Sequence, residues 1–481
     1  MLNKMITAMF LLVFSGCSQA NTNSAPFLGQ GIMAGEVDTH SVILQARLTK
    51  TNAPVNGDLA GCEGVGYFEV ASYESAGVSY RGAIKSKMLK AQAGNDYILK
   101  AKIAGLAPGH FYQYRVVYGN DETSLKTSDD GTFRTLHGKN AAMPLSFVVV
   151  TGMNYHRFYN YKDMSDHEKK KGYPALKSID SQHPDFFIGT GDNVYYDTPT
   201  ESAAVTESQM RKKYHEQFSQ QPYRELFQYV PTYWEKDDHD YRYNDCDNTG
   251  EQDPSVELGL RIFTEQLPVV DPESADAVTY RTYRMNKHLQ VWLVEGRDYR
   301  SPNKTPDGPD KTLWGQKQKA WLKETLLASD ADFKLLISPT PMVGPDDAYK
   351  ADNHVNQKGF RNEGDAFFAW LKENGFLEKN FYIVCGDRHW QYHSIHPTGF
   401  EEFSCGALVD GNARVGRLPG DPQSTDPKAQ IKQPYCMTEA SGGFLMVSLM
   451  PHEKGKPAGL SFGFYDENGR LLYHHRKTAN K

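Results

Sequence analysis

The sequence predicts an α/β region preceded by an all-β sandwich, and three observations carry that expectation. Between Phe27 and Leu136, short alternating segments such as SVILQARLT and GYFEVAS are separated by Gly, Asn and Pro, with no helical period. From PLSFVVVTG (144–152) onward the apolar runs become continuous, as in strands buried on both faces of a sheet. Amphipathic stretches then alternate with such runs: PALKSIDSQ before FFIGTGD, WGQKQKAWLKETLLAS (314–329) before FKLLIS, and GDAFFAWLKENG (364–375) before NFYIVCGD. That succession is α/β order.

Residues 1–16 read as a lipoprotein signal peptide: Lys4 precedes the apolar run ITAMFLLVF, which is too short to span a bilayer. Cys17 follows Phe14-Ser15-Gly16, an arrangement that resembles a bacterial lipoprotein box, so lipidation at Cys17 is expected, with cleavage after Ala20 as the alternative. No Asp follows Cys17, which points to an outer-membrane lipoprotein, or else a periplasmic protein, of a Gram-negative bacterium. Residues 17–26 form the tether and 27–136 the sandwich. Within it, YILKAKIAGLAPGHFYQYRVVYG sets Leu106, Pro108-Gly109 and Tyr112 or Tyr114 in the layout of a tyrosine corner. The segment resembles a fibronectin III or immunoglobulin-like module, closed by GTFRTL (131–136). The boundary falls near His137–Met143, and 143–481 form the second unit. Behind Gly442, a terminal pair of strands with Asn468-Gly469 at the turn is expected to complete a second sheet.

Composition narrows the function classes. A net charge of −6 gives no basic footprint for nucleic acid, which is excluded as a partner. The 28 Tyr suit a crevice for sugars or other polar ligands, and equally a dense sandwich core. With Cys17 set aside, Cys62, Cys246, Cys385, Cys405 and Cys436 are odd in number and irregularly spaced, so no full disulfide framework follows.

Chemistry concentrates in four clusters: DFFIGTGDNVYYD (185–197), YWEKDDHDYRYND (233–245), VWLVEGRDYR (291–300) and FYIVCGDRHWQYHS (381–394). Each follows an apolar run, and in an α/β fold the C-terminal ends of strands converge on one crevice. Asp192, Asp237, Asp238, Asp387 and His389 are oxygen and nitrogen ligands suited to hard or borderline divalent cations. Gly-Asp behind a strand is also ordinary turn chemistry. DDHD at 237–240 is less ordinary, because adjacent ionisable groups repel unless cations or arginines neutralise them.

In this order the clusters resemble those of the alkaline phosphatase D (PhoD-like) family of metallophosphoesterases, whose signature runs GDxxYE, WDDHE, a DxRxYR-like segment and GDxH. Here they stand as GDNVYYD, WEKDDHD, EGRDYR and GDRHW. The resemblance implies an αββα metallophosphoesterase-like sandwich behind an immunoglobulin-like domain. It places Asp192, Tyr195, Asp238, Asp387 and His389 on metal-ligand positions, with divalent ions, calcium among them, as cofactors. Arg297 and Arg300 fall where the family carries arginines near the site; a guanidinium fork there suits a phosphate, sulfate or carboxylate. The competing reading of Arg297 is an ion pair with Asp298 or Glu295. One departure counts against iron: Gly152 stands where the family offers a Cys.

Two long polar segments complete the inventory. GPDDAYKADNHVNQKGFRNEGD (344–365) is expected to act as an active-site lid, and 404–435 to shape a substrate groove or decorate the surface.

Two reactions fit these residues. One is metal-dependent hydrolysis of a phosphoric ester, with Tyr195, Arg297, Arg300 and His389 as catalytic candidates. The other is a carbon–oxygen lyase reaction, dehydration of a uronate-containing oligosaccharide, with Tyr195, Tyr241, His389 or His393 as base. The chain also resembles a marine Bacteroidetes branch of the family associated with breakdown of algal polysaccharides such as ulvan, to which dehydration is attributed. A third class is a surface binding protein on a degenerate metal fold. The expected partners are a small-molecule or oligosaccharide substrate, with membrane contact only through the lipid anchor.

Overall fold

A computed structural model describes residues 25–74, 77–274, 278–453 and 456–480. The signal peptide, the Cys17 lipidation site and most of the tether lie outside the described residues. Two large sheets stack face to face. The first has nine strands, and its parallel centre is Leu145–Val150, Phe186–Thr190 and Thr232–Glu235. The second has seven, with Leu289–Leu293, Phe333–Ser338 and Phe381–Cys385 parallel at its centre.

Strand periodicity accounts for the layering, since alternate side chains leave opposite faces. Phe147 and Val149 point inward with Ile188, Leu335, Val384 and Phe462 to form the core between the sheets. Val148 and Val150 point outward and are covered, with Phe187 and Trp234, by helices Pro174–Ser181, Glu207–Phe218, Gln221–Tyr229 and Val256–Gln266. On the far face of the second sheet, Trp292, Leu336 and Ile383 are covered by helices Gly315–Ala328 and Arg361–Glu373. The layers are therefore helix, sheet, sheet, helix, as the αββα expectation requires.

The N-terminal segment is a β-sandwich, but one of its sheets is not separate. Ile32–Gly35, Ser41–Arg47 and Ile98–Ala104 continue the first large sheet, joined where Gly35 pairs with Thr232. The other sheet is built on Gly64–Glu74, Phe111–Gly119 and Gly131–Arg134. The tyrosine corner forms at Tyr112, whose Oη accepts a 2.8 Å hydrogen bond from the Ala107 amide.

The terminal strands correct one expectation. Gly443–Met450, Gly459–Asp466 and Leu471–Thr478 extend the first sheet instead of completing the second, because Gly443–Met450 pairs antiparallel with Leu145–Val150. The apolar Phe147–Val149 strand would otherwise be an open edge, and pairing satisfies its backbone groups. The five described cysteines are free.

Candidate metal centre and active site

The parallel strands of both sheets deliver their C-terminal ends to one place. The loop behind Phe186–Thr190 carries Asp192 and that behind Thr232–Glu235 carries Asp237 and Asp238. From the second sheet, Leu289–Leu293 leads to Arg297 and Phe381–Cys385 to Asp387 and His389. Asp192 and Asp387 both have left-handed backbone, with φ of +55° and +58°. That conformation is uncommon outside glycine and tolerated best by Asp and Asn. A Cβ at Gly386 would lie 2.4 Å from the Thr190 carbonyl oxygen, so the absence of a side chain lets the two strand ends meet.

Hydrogen bonds fix the first Gly-Asp turn. Asp240 accepts from the backbone amides of Asp237 (2.7 Å), Asp192 (3.2 Å) and Asn193 (3.2 Å), tying the turn to the DDHD loop. Burial, together with the charge of Asp192, pushes the Asp240 carboxyl up to about 7. Tyr195 donates to Asp192 Oδ2 at 2.7 Å, and His389 Nε2 lies 3.1 Å from both that oxygen and Tyr195 Oη. Asn412 Nδ2 donates to Tyr195 Oη at 2.8 Å and to the Gly152 carbonyl at 3.2 Å. Burial and the adjoining Asp192 raise the Tyr195 phenol far above its ordinary range.

Charge is distributed unevenly across the crevice. Asp237 is driven up by burial and by the neighbouring carboxylates Asp238, Asp387 and Asp192, against the pull of Arg297. Asp238 stays low despite burial, held by His239, Arg297 and Lys350. Asp387, likewise buried, sits at about 2 because Arg388 and Lys350 face it. Arg388 bridges Asp387 and Asp346, and the Lys350 ammonium lies 2.6 Å from Asp245 Oδ1 and 3.9 Å from Asp387 Oδ1.

A divalent cation fits the donor set. Asp192 Oδ1, Asp237 Oδ2 and Asp352 Oδ1 are buried without a hydrogen-bond partner, which is costly unless something positive faces them. Single donor atoms of Asp192, Asp238 and His239 lie within 4.8 Å of one another, as do those of Asp238, Asp245 and Asp352. These oxygen-rich sets suit hard cations. An iron-binding thiolate does not fit at 152. Gly152 has φ +66°, and a Cβ there would stand 3.0 Å from Ala407 and 3.3 Å from Asn412 Nδ2. The position is shaped for glycine, and Asn412 fills the neighbouring space.

Among the predicted site residues, Asp192, Tyr195 and His389 touch one another, a donor atom of Asp238 lies within 4.8 Å of one on Asp192, and Asp387 faces the Lys350 ammonium at 3.9 Å. The structure assigns the arginines other duties. Arg297 is fully buried; its Nε donates to Asp237 Oδ1 at 2.7 Å and Nη1 to the Cys246 carbonyl at 2.7 Å. Its fork holds Asp237, where the sequence reading had it clamp an oxyanion or pair with Asp298 or Glu295; those two carboxylates instead hold Lys236. Arg300 donates to the Gly296 carbonyl and to Asn303, packed within the same loop. His393 lies elsewhere, against Glu401 and Tyr473. Tyr241 is buried near the Lys236 ammonium.

Much of the 344–365 segment packs as a wall of the crevice. Asp346, Asp352, Asn353, His354 and Asn356 are buried, and Asp346 alone accepts from Arg388, Asn353 and Asn356. That wall supplies Lys350 and Asp352, which sequence reading missed; their signal was a basic residue two positions before an acid in a long polar loop. The 404–435 segment supplies Asn412 and the arginines Arg414 and Arg417, both bound to Asp347.

The model of the PhoD-like phosphatase family matches residues 147–444, and that of its N-terminal domain matches 15–137. Alkaline phosphatase D of Bacillus subtilis (strain 168) is 23% identical over 411 residues, covering 73% of this chain and 66% of that protein. The chain thus spans just under two thirds of that relative's length. Among solved structures, PhoD superposes with a TM-score of 0.73 at 18% identity, covering 96% of this chain and 92% of that one. Purple acid phosphatase PPD1 from yellow lupin (Lupinus luteus) seeds gives 0.60 at 13% identity, covering 94% and 74%. Likeness at these identities bears on the fold. Matched by the family model over more than half its length, the chain belongs to the PhoD-like phosphatase family.

Proposed function

We propose that this chain is an exported, metal-dependent phosphoesterase. The observation that carries the reading is Asp192: one carboxylate oxygen is engaged by Tyr195 and close to His389, and the other is buried without a partner at the mouth of an acidic crevice. Asp192, Tyr195, Asp238, Asp387 and His389 would hold the ions, with Asp245 and Asp352 beside them. Divalent ions there supply Lewis-acid activation of water and neutralise charge on the phosphoryl group.

The chain's own residues do the rest. Arg297 holds Asp237 in place and opposes the upward push that burial gives its carboxyl, and Asp240 fixes the backbone of both acidic loops. His389, whose side chain is 18% exposed, is the most open member of the set. Its Nε2, 3.1 Å from Asp192 Oδ2, would face an ion held there. Asn412 orients the Tyr195 hydroxyl so that its proton points to Asp192.

A second reading rests on that same hydroxyl. Tyr195, held between Asn412, Asp192 and His389, is placed to relay a proton during elimination on a uronate-containing oligosaccharide, and Gly152 removes the thiolate the family uses for iron. One experiment separates them. Purified protein is offered a chromogenic phosphodiester and, separately, uronate oligosaccharides while ultraviolet absorbance of unsaturated uronates is followed. Phosphodiester turnover with a flat ultraviolet trace supports hydrolysis; the opposite pattern retires it.

Export and lipidation at Cys17 belong to the same proposal. Among the described residues no helix is long and apolar enough to cross a membrane. Metabolic labelling with a tagged palmitate should mark the wild type and leave Cys17→Ala unlabelled; equal labelling would refute the anchor.

A further inference from the structure

Away from the crevice, a second group of ligand-type side chains meets between the two sheets. His393, on Gln391–Ile395, and Glu401, on Glu401–Cys405, face inward from the second sheet, and His475, on Leu471–Thr478, faces them from the edge of the first. His393 Nε2 lies 2.9 Å and His475 Nε2 3.5 Å from the same oxygen, Glu401 Oε2. One donor atom from each of the three falls within 4.8 Å of the others.

We infer that His393, Glu401 and His475 form a separate site for a borderline divalent cation of the zinc type. Three features support a built site over a chance contact. Lys477 holds Glu401 Oε1 at 2.5 Å, leaving Oε2 for the imidazoles. Tyr473 Oη lies 3.1 Å from His393 Nδ1, which aims Nε2 at Oε2, the outer hydrogen bond that metal-binding histidines usually make. The Nε2 atom of His475 is itself covered and makes no hydrogen bond at its 3.5 Å from Glu401 Oε2, although the ring is part-exposed. Two imidazoles and one carboxylate are a recurrent zinc set, with a fourth position left for water, and their donor atoms sit about 3.3 Å apart around a tetrahedral ion. The observed 2.9 and 3.5 Å bracket that spacing. His475, the most exposed of the three, gives the entry path. An ion here would clasp the edge strand of the first sheet to the second, so its consequence is stability and not catalysis.

The full chain, saturated with calcium, is dialysed against zinc and its metal content measured. Wild type should hold one more zinc per chain than His475→Ala or Glu401→Gln. Zinc should raise the melting midpoint of wild type by several degrees and leave both variants unmoved, while His475→Ala keeps the wild-type rate on a chromogenic phosphodiester. Should one variant not fold, the other decides the question. Equal zinc content and equal zinc-dependent melting in wild type and variant would overturn the site.

Discussion

The two Gly-Asp turns that face each other across the crevice share a backbone and differ in their company. Asp192, from the first sheet, and Asp387, from the second, both sit in left-handed conformation one residue behind a glycine. Asp192 meets a phenol and the imidazoles of His389 and His239, pairs with no arginine or lysine, and keeps one oxygen unpartnered. Asp387 is bound by Arg388 and lies near Lys350. The lesson is a division of labour: the first-sheet side offers vacant ligand capacity, and the second-sheet side carries its own counter-charge. Identical motifs therefore predict different consequences when each is changed.

The sharpest break of that symmetry is a pair of substitutions that both keep the left-handed turn. Asp192→Asn should lower phosphodiester turnover at least about 10³-fold, the order expected when a group that stabilises transition-state charge is lost, while melting stays near wild type because a carboxylate leaves a crowded acidic cluster. Asp387→Asn should also lose activity, and in addition lose about 1.5–3 kcal/mol of stability, since it removes one of the two carboxylates that buried Arg388 bridges and leaves only Asp346. Equal melting of the two variants would remove the distinction.

Arg297→Met comes next. It removes the guanidinium that holds the buried Asp237 carboxyl and the Cys246 carbonyl and should destabilise by about 1–3 kcal/mol, with part of the loss restored by added calcium. A variant that melts as wild type would refute that role.

Glu363 tests the wall on the second-sheet side. It accepts from Thr312, Leu313 and Trp314 and lies 3.0 Å from His354 Nε2 and from Lys319 Nζ. Although burial opposes ionisation, His354 and these donors hold the carboxyl at about 2, below its usual 4.5. A depressed carboxylate contributes stability that is present above the unfolded value and lost as pH falls through the folded one. Melting should therefore decline between about pH 4.5 and 2 in wild type, with a smaller decline in Glu363→Gln; identical profiles would refute the assignment. The smallest effect expected is from Tyr112→Phe, about 1 kcal/mol for one hydrogen bond at the tyrosine corner, with activity unchanged.

Much of this was legible in the sequence for physical reasons. Short apolar runs rich in β-branched residues, such as FVVV and YIVC, read as central strands, and the polar residues behind them are then expected at one rim. Tyr112 was legible because the corner spans five residues. What was not legible arises from distant pairings. Lys350 meets Asp245 across 105 positions, and Asn412 meets Tyr195 across 217. Arg297 looked like a substrate clamp because spacing cannot reveal that Asp237 occupies its fork. The terminal strands read as a hairpin, and nothing local says which sheet edge they cover.

The central claim is that the free oxygen of Asp192 holds the activating ion, and metal reconstitution tests it most directly. Chelated protein is titrated with calcium, manganese or zinc while hydrolysis of a chromogenic phosphodiester is followed in wild type and Asp192→Asn. Wild type should be silent without metal and recover saturably with at least one of these ions, and Asp192→Asn should stay silent at every concentration. Turnover by rigorously metal-free wild type, or full recovery in Asp192→Asn, would contradict the account.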